Sequence, residues 1–568
     1  MKKIKSNILL IIIITLLGVS CQKLDLNPLS EGSTENWYRN EQEIELAINS
    51  LYSPTFWFVE GSRLYNTDRF SDDWAQRAYV YDYIAGTITS DWADSKSTWI
   101  NTYKGIARAN SVLNSLDRAK GTVAAATLNR FKAEACFFRA SYYSYLIFLY
   151  GDVPYLTGNL TIDEAFNTGR TDKNEILKHI YADYDTAALY LPEGEVDGVQ
   201  RVTKGAAYAF KARTAIWMLD YATAKTAAKQ CIDLGDYSLD GDYGKLFLAS
   251  TNSSPEFIFV IPRSQAINGE TMSAGSFLPR LAGGTATAQP SWELLLSYTC
   301  TDGLPVDKSP LYDPSNPFKN RDPRLAATMV VPGTAFLGHI YDPGAEKVLD
   351  LSSNKKVKNT DSQFGSEYAA FDGLMLKKGV DESWADDKKA DPNIIIMRYA
   401  DVLLMYAEAK MELGELDNSL YDAINLVRAR AYGVNSTNTD NYPAVSETNQ
   451  AKLRTIIRNE RHVEFAWENR RWFDLIRWKI AEQALTRPIC ALPAKKGLAD
   501  NIASGDYFFP KDTKPVIDEN GLVDLTPIIN TGKIRVIVPR SFNIRQYLWP
   551  IPTDEIKIND NLKQNPGY

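Results

Sequence analysis

Apolar residues recur at three- and four-residue spacing over most of the chain, a period that predicts helices. Glu41–Tyr52 follows Asn40, whose side chain suits the open N–H groups of a first turn, and stops before Pro54. Thr98–Arg118 sets Trp99, Ile100, Tyr103, Ile106, Ala107, Asn110, Leu113 and Leu116 near helical spacing. Thr127–Tyr150 is longer, dense in Phe and Tyr, and closed by Gly151 with Pro154 beyond. Asp172–Leu191 stops at Pro192. Lys204–Leu219 and Ala222–Leu234 read as a helix–turn–helix unit ending at Gly235, with alanines that let two helices approach closely. Tyr399–Leu413 and Asn418–Ala431 form a second unit around Gly414.

Between these units the pattern changes. Leu239 to Asn393 is broken by proline from Pro255 to Pro343 and by Gly283-Gly284, with short apolar runs such as Phe257–Ile261. Pro488 to Pro552 is similar and holds the strand-like Lys533–Val538. The two hairpins resemble tetratricopeptide repeats, whose period is roughly 34 residues. The expected fold is all-α dominated: a tetratricopeptide-like helical-repeat scaffold with an irregular, loop-rich second lobe containing short strands. The expected divisions are a signal peptide over 1–20, a tether over 21–40, a helical domain over 41–238 and a C-terminal domain over 239–568. Within the last, 239–395 is loop-rich, 396–485 helical and 486–568 irregular.

The N-terminus fixes an address. Lys2, Lys3 and Lys5 precede an apolar run from Ile8 to Leu17, and Gly18-Val19-Ser20 leads to Cys21. Such a run spans about 15 Å as a helix, half of a hydrocarbon core of roughly 30 Å, so it reads as a signal peptide and not as an anchor. A cysteine directly after small residues resembles the lipobox of bacterial lipoproteins, with Gly18 where leucine is usual. Cys21 is then the acylated residue, and its lipid the expected attachment to a membrane. Cleavage removes the three lysines and moves the formal charge of -7 three units further negative. An acidic chain has no electrostatic attraction for nucleic acid or anionic lipid. Cys136, Cys231, Cys300 and Cys490 show no paired spacing, and His179, His339 and His462 are isolated in sequence. No cofactor is expected. Asp381-Glu382, Asp386-Asp387 and Asp391 could hold calcium but lack the twelve-residue calcium-loop spacing.

Four segments together resemble the SusD/RagB family of outer-membrane nutrient-binding lipoproteins. They are Cys21–Pro28; Ala133–Ala140 continuing through Tyr142 and Tyr145 to Tyr150-Gly151-Asp152-Val153-Pro154; Arg398–Ala409; and Ile457–Leu475, joined to Pro550-Ile551-Pro552 and Gln564–Tyr568. The resemblance implies tetratricopeptide-like repeats. It also implies a surface glycan- or peptide-binding role beside a SusC-like TonB-dependent transporter. Oligosaccharide capture is the leading expectation. A peptide-binding relative and a surface glycoside hydrolase are the alternatives, although no paired acid motif, nucleophile elbow or zinc helix is visible.

Glu460, Glu464 and Glu468, spaced four apart beside Arg454, Arg458 and Arg461, read as a structural charge ladder closed by Arg461–Glu464 and Glu468–Arg471 pairs. The better binding candidate is Ser71–Tyr83, which interleaves aromatic faces with polar groups, as sugars require. Trp74, Tyr79 and Tyr81 are its expected platforms, and Asp73 and Arg77 its hydroxyl-binding groups. Phe277 and Arg280, in Ser276–Thr285, are expected to face it from the second lobe.

Overall fold

The computed structural model describes residues 37–568 apart from 62–64, 78–79, 159–160, 195–199, 265–271 and 367–368. The signal sequence, Cys21, most of the tether and Tyr79 therefore lie outside the described residues. The main helices are α1 (Glu41–Asn49), α2 (Ala93–Ser115), α3 (Ala125–Tyr150), α4 (Lys173–Tyr190), α5 (Lys204–Trp217), α6 (Tyr221–Leu234), α7 (Tyr399–Glu412), α8 (Asn418–Ala431) and α9 (Gln450–Glu464). Their ends follow local chemistry. Asn40 accepts from the Glu43 N–H at the start of α1, and Asp172 accepts from Asn174 and Glu175 at the start of α4. Gly235 closes α6 at φ 72°, where a β-carbon would be strained.

Each helix from α2 to α8 packs on the next, so the two hairpins, far apart in sequence, stand side by side through α6 and α7. Ala206, Ala207, Ala209, Ala212 and Ala215 of α5 and Ala224, Ala227 and Ala228 of α6 are all buried, which is what brings those two backbones close. The tyrosines of α3 are core residues with bonded hydroxyls: Tyr142 donates to the Leu51 carbonyl (2.6 Å) and Tyr150 to that of Ser95 (2.7 Å). Cys136 and Cys231 are buried and free, and burial pushes both thiols up to about 12.

The rest is short strands and loops. β1 (Trp74–Gln76) pairs antiparallel with β3 (Ala288–Pro290), and β2 (Phe257–Ile261) pairs antiparallel with β4 (Ile394–Arg398). Residues 334–358 form a four-stranded antiparallel meander. The largest core joins Phe137 and Phe210 of the first helices to Met405, Trp472 and Trp549, so residues on both sides of the 238/239 division share it. A second core gathers Trp74, Trp292, Trp384, Trp467 and Phe509.

Arginine and glutamate lock these parts together, with partners other than the ladder predicts. α9 ends at Glu464, and Trp467 and Asn469 take positive φ (59° and 61°), so Glu468 leaves the helical face and the expected local pairs do not form. Glu464 instead accepts from Arg324 (2.9 Å), Arg398 (2.7 Å) and Arg430. Glu460 takes Arg324 and Arg428 (both 2.7 Å), Glu468 takes Arg398 (2.7 Å) and Lys378 (2.5 Å), and Glu256 joins Arg398 (2.6 Å) to Arg430 (2.8 Å). All of these side chains are buried. Burial pushes Glu464 up, but Arg430, Arg398 and Arg324 outweigh it and hold the carboxyl well below its ordinary range. Lys378, inside the same network, is pushed down to about 8, chiefly by burial. Arg461 turns to Asp401 (2.9 Å) and Asp474 (3.0 Å). The network ties the loop-rich lobe, through Arg324 and Lys378, to the helical array.

Candidate functional site

The chain enters the candidate segment through a 3-10 turn at Asp68–Phe70 and leaves it into a short helix, Asp82–Ala85. Between them, β1 sets Trp74 opposite Pro290 and Gln76 opposite Ala288, directly after the second candidate segment. The structure thus brings the two segments together, as packing. Trp74 stacks on Trp467 (centroids 4.9 Å apart, planes at 18°) and meets the edge of Phe277 at 5.7 Å. Phe277 also abuts Trp467 and Tyr65, at 5.9 and 5.0 Å. Trp74 and Phe277 are each 6% exposed, so both ring faces that a sugar needs are covered by other rings.

Asp73 is also interior. Its carboxylate pairs with the His462 ring, while Asp72 accepts two bonds from Arg471, each 2.7 Å. Asp73, Trp74 and Phe277 are therefore corrected from an open platform to elements of the second core and its polar edge. The reason is the β1–β3 pairing, which lays the segment against Trp467. Arg280 is half-buried, and its backbone N–H and that of Leu281 donate to Asp361 (2.7 and 3.0 Å). Burial raises that carboxyl above its ordinary range. Arg77 is half-buried at the end of β1.

Tyr81 has a different setting. Half-buried at the start of the Asp82–Ala85 helix, it lines an open cleft of about 430 Å³ with Asp82, Thr87, Thr89, Asp91 and Asp94. The Arg69 guanidinium lies 5.0 Å from the Tyr81 ring and 4.6 Å from that of Phe70, and bonds Asp94 at 2.6 Å. The Arg69 Nε–H donates to the Asn66 carbonyl at 2.9 Å. The cation is held in place by these contacts and fixes both the ring and Asp94. Asp82, Thr87, Thr89 and Asp91 are exposed. Gly86, at φ 72°, makes the sharp turn that carries the chain back to Thr87 and Thr89. The cleft offers the half-buried Tyr81 ring and its hydroxyl, the hydroxyls of Thr87 and Thr89, and the carboxylates of Asp82, Asp91 and Asp94, groups that suit the hydroxyl edges and C–H faces of a sugar. The Thr87–Asp94 side was absent from the sequence expectation. Its signal is the run Gly86-Thr87-Ile88-Thr89-Ser90-Asp91, polar turn chemistry between two helices.

Among the described residues, Asp72, Asp73 and His462 form one group compact enough to hold an ion. Arg471 occupies both oxygens of Asp72, so the donor set does not suit a cation there. In the acidic loop, Asp381 accepts from the Ser383 N–H and hydroxyl (3.0 and 2.8 Å), and Asp387 from the Lys389 N–H (2.9 Å). No helix among the described residues is long and apolar enough to cross a membrane.

Comparison with known proteins places this architecture. Residues 255–568 match the model of the SusD family, and residues 28–216 match a model described as starch-binding associating with outer membrane. SusD-like protein P2 of Formosa agariphila is 25% identical, covering 100% of each chain. A crystal structure of a SusD-like carbohydrate binding protein from Bacteroides fragilis is 30% identical, covers 93% of this chain and 99% of its own, and superposes with a TM-score of 0.75. A second SusD-like protein from Bacteroides fragilis, 23% identical, covers 95% and 100% with a TM-score of 0.72. With the helical array, the loop-rich lobe and the family model covering more than half of its length, the chain belongs to the SusD/RagB family.

Proposed function

We propose that this protein is a non-catalytic surface lipoprotein that binds oligosaccharide in the Tyr81 cleft and delivers it to a SusC-like TonB-dependent transporter. The observation that carries the reading is membership of the family together with 30% identity, over nearly the whole chain, to a protein named as carbohydrate binding. The Tyr81 cleft supports it locally, since its ring, hydroxyls and carboxylates lie on one open surface. Hydrogen bonds exchanged with water add only about 1 kcal/mol each, so a shallow site of this kind gives micromolar or weaker affinity.

Two experiments test this. The purified protein is screened against a polysaccharide and peptide panel by calorimetry, and the glycan mixtures are assayed for new reducing ends. Binding to a glycan without release of reducing ends is expected. Release of reducing ends overturns the non-catalytic reading, and capture of peptides alone overturns the oligosaccharide reading. For attachment, labelled fatty acid is expected to enter the wild-type chain and to be lost in Cys21→Ala, which then fractionates as a folded soluble product. Unchanged labelling in that variant excludes Cys21.

A further inference from the structure

The four-stranded meander ends in a hairpin in which Lys347–Asp350 pairs antiparallel with Lys355–Lys358. Its register sets Lys347 opposite Lys358, Val348 opposite Val357 and Leu349 opposite Lys356. Opposite residues share a face and successive residues alternate, so Lys347, Lys356 and Lys358 stand together on one face. Val348, 4% exposed, marks the other face as the inner one, and all three lysines are exposed. The β-carbons of Lys347 and Lys358 are about 5 Å apart, and Lys356 follows about 7 Å along the strand.

Like charges placed directly opposite destabilise a strand pair. Other exposed lysines of this acidic chain lie against a carboxylate, as Lys229 does against Asp233 (2.5 Å) and Lys120 against Asp117 (2.8 Å). Among the described residues, no ion pair engages Lys347, Lys356 or Lys358. Asp350, the one carboxylate in the two strands, lies opposite Lys355 and is held by the turn. It accepts from the Ser352 N–H and hydroxyl (2.8 and 2.7 Å) and from the Ser353 hydroxyl (2.9 Å). The ladder therefore gives up pairing stability to hold a row of uncompensated cations, on a chain whose formal charge is -7.

We propose that this face is a second glycan-contact surface, and that its ligand is a linear polysaccharide carrying anionic groups, carboxylate or sulfate. That the polymer is a glycan rests on the oligosaccharide reading above; that it is anionic rests on the lysines alone. Ammonium groups donate charge-assisted bonds to carboxylate or sulfate oxygens, and the row follows the strand as a linear polymer would. Leu349, half-buried on the same face, offers apolar surface to ring C–H groups. An anionic lipid surface is served less well. Recognition of that kind draws on about four to eight clustered basic residues, and here exposed Glu346 adjoins a row of three.

Calorimetry on the full mature chain in detergent tests the surface, with alginate as a polyuronate, dextran sulfate as a sulfated polymer and neutral dextran as the control. At least one anionic polymer is expected to bind, with affinity falling about tenfold or more between roughly 0.02 and 0.5 M salt. The triple variant Lys347→Gln, Lys356→Gln, Lys358→Gln should lose about tenfold or more at low salt. The corresponding triple arginine variant should stay within about threefold of wild type, because the charge remains. Both variants should melt within a few degrees of wild type, since all three side chains are exposed. Binding to alginate alone assigns carboxylate and binding to dextran sulfate alone assigns sulfate; either supports the proposal. Two results overturn it: neither polymer binds, or the glutamine variant binds as wild type does. In that case self-association of the glutamine variant would show that the lysines guard a sheet edge. Vesicles containing anionic phospholipid that bind wild type more tightly than either polymer, and release the glutamine variant, overturn it in favour of a membrane. Binding of a neutral glycan is expected to be the same in all three proteins, so failure here leaves the proposed function standing.

Discussion

Glu464→Ala is expected to lower the unfolding free energy by about 3–5 kcal/mol, the range for removing one partner from a buried ion network. Three guanidiniums, Arg324, Arg398 and Arg430, converge on this carboxylate, and the removal leaves their charge in the interior with Asp322, Glu460, Glu468 and Glu256 as remaining counterions. An exposed pair provides the scale. Lys229→Ala, which removes a solvent-facing bond to Asp233, is expected to change stability by no more than about 0.5 kcal/mol. The pH dependence has a definite sign. The folded-state pKa of Glu464 is depressed, so its stabilisation is complete above the unfolded value of about 4.3 and is lost as pH falls below it. Denaturant midpoints of wild type and Glu464→Ala should therefore differ most near pH 7 and converge as pH drops below about 4. A difference under about 1 kcal/mol at pH 7 would show that the surrounding carboxylates alone neutralise the arginines.

The helices were legible because their signals are local. Asn40, Asp172, Gly151 and Gly235 mark ends within a residue or two of where the backbone turns, and alanine at contact positions marks the α5–α6 crossing. The partners of Glu460, Glu464 and Glu468 were not legible. Four-residue spacing suggests pairs on one helix, but the left-handed turn at Trp467 and Asn469 breaks it, and the actual partners come from residues 324, 378, 398, 428 and 430. The candidate site divides in the same way. Interleaved aromatics at 74–83 do mark a junction between lobes, yet which rings face solvent depends on β1 pairing with residues 288–290, a contact that spans more than 200 positions. Tyr81 lies beyond that pairing and keeps its open side.

That difference sets up the most discriminating test of the site. Trp74→Ala is expected to lower stability by about 3–5 kcal/mol, because it empties the space between Trp467 and Phe277. At a temperature where the variant stays folded, its glycan affinity should remain within about twofold of wild type, an energy change well under 1 kcal/mol. Tyr81→Ala should do the reverse. The ring lies at a cleft wall and not in a core, so melting should move by only a few degrees, as about 1 kcal/mol allows. Loss of an aromatic platform is worth about 1–3 kcal/mol by analogy with base stacking, which corresponds to a fall in affinity of roughly 5- to 150-fold. Asp91→Asn retains shape and removes charge from an exposed rim group, so a smaller loss is expected when the ligand is a neutral sugar bonded through hydroxyls. The comparison is read by calorimetry with one glycan from the panel, on all three variants. If Tyr81→Ala binds with wild-type affinity, the cleft is not the glycan site. If Trp74→Ala instead abolishes binding while melting normally, the Trp74–Phe277–Trp467 cluster opens to ligand and the correction made from its burial is reversed.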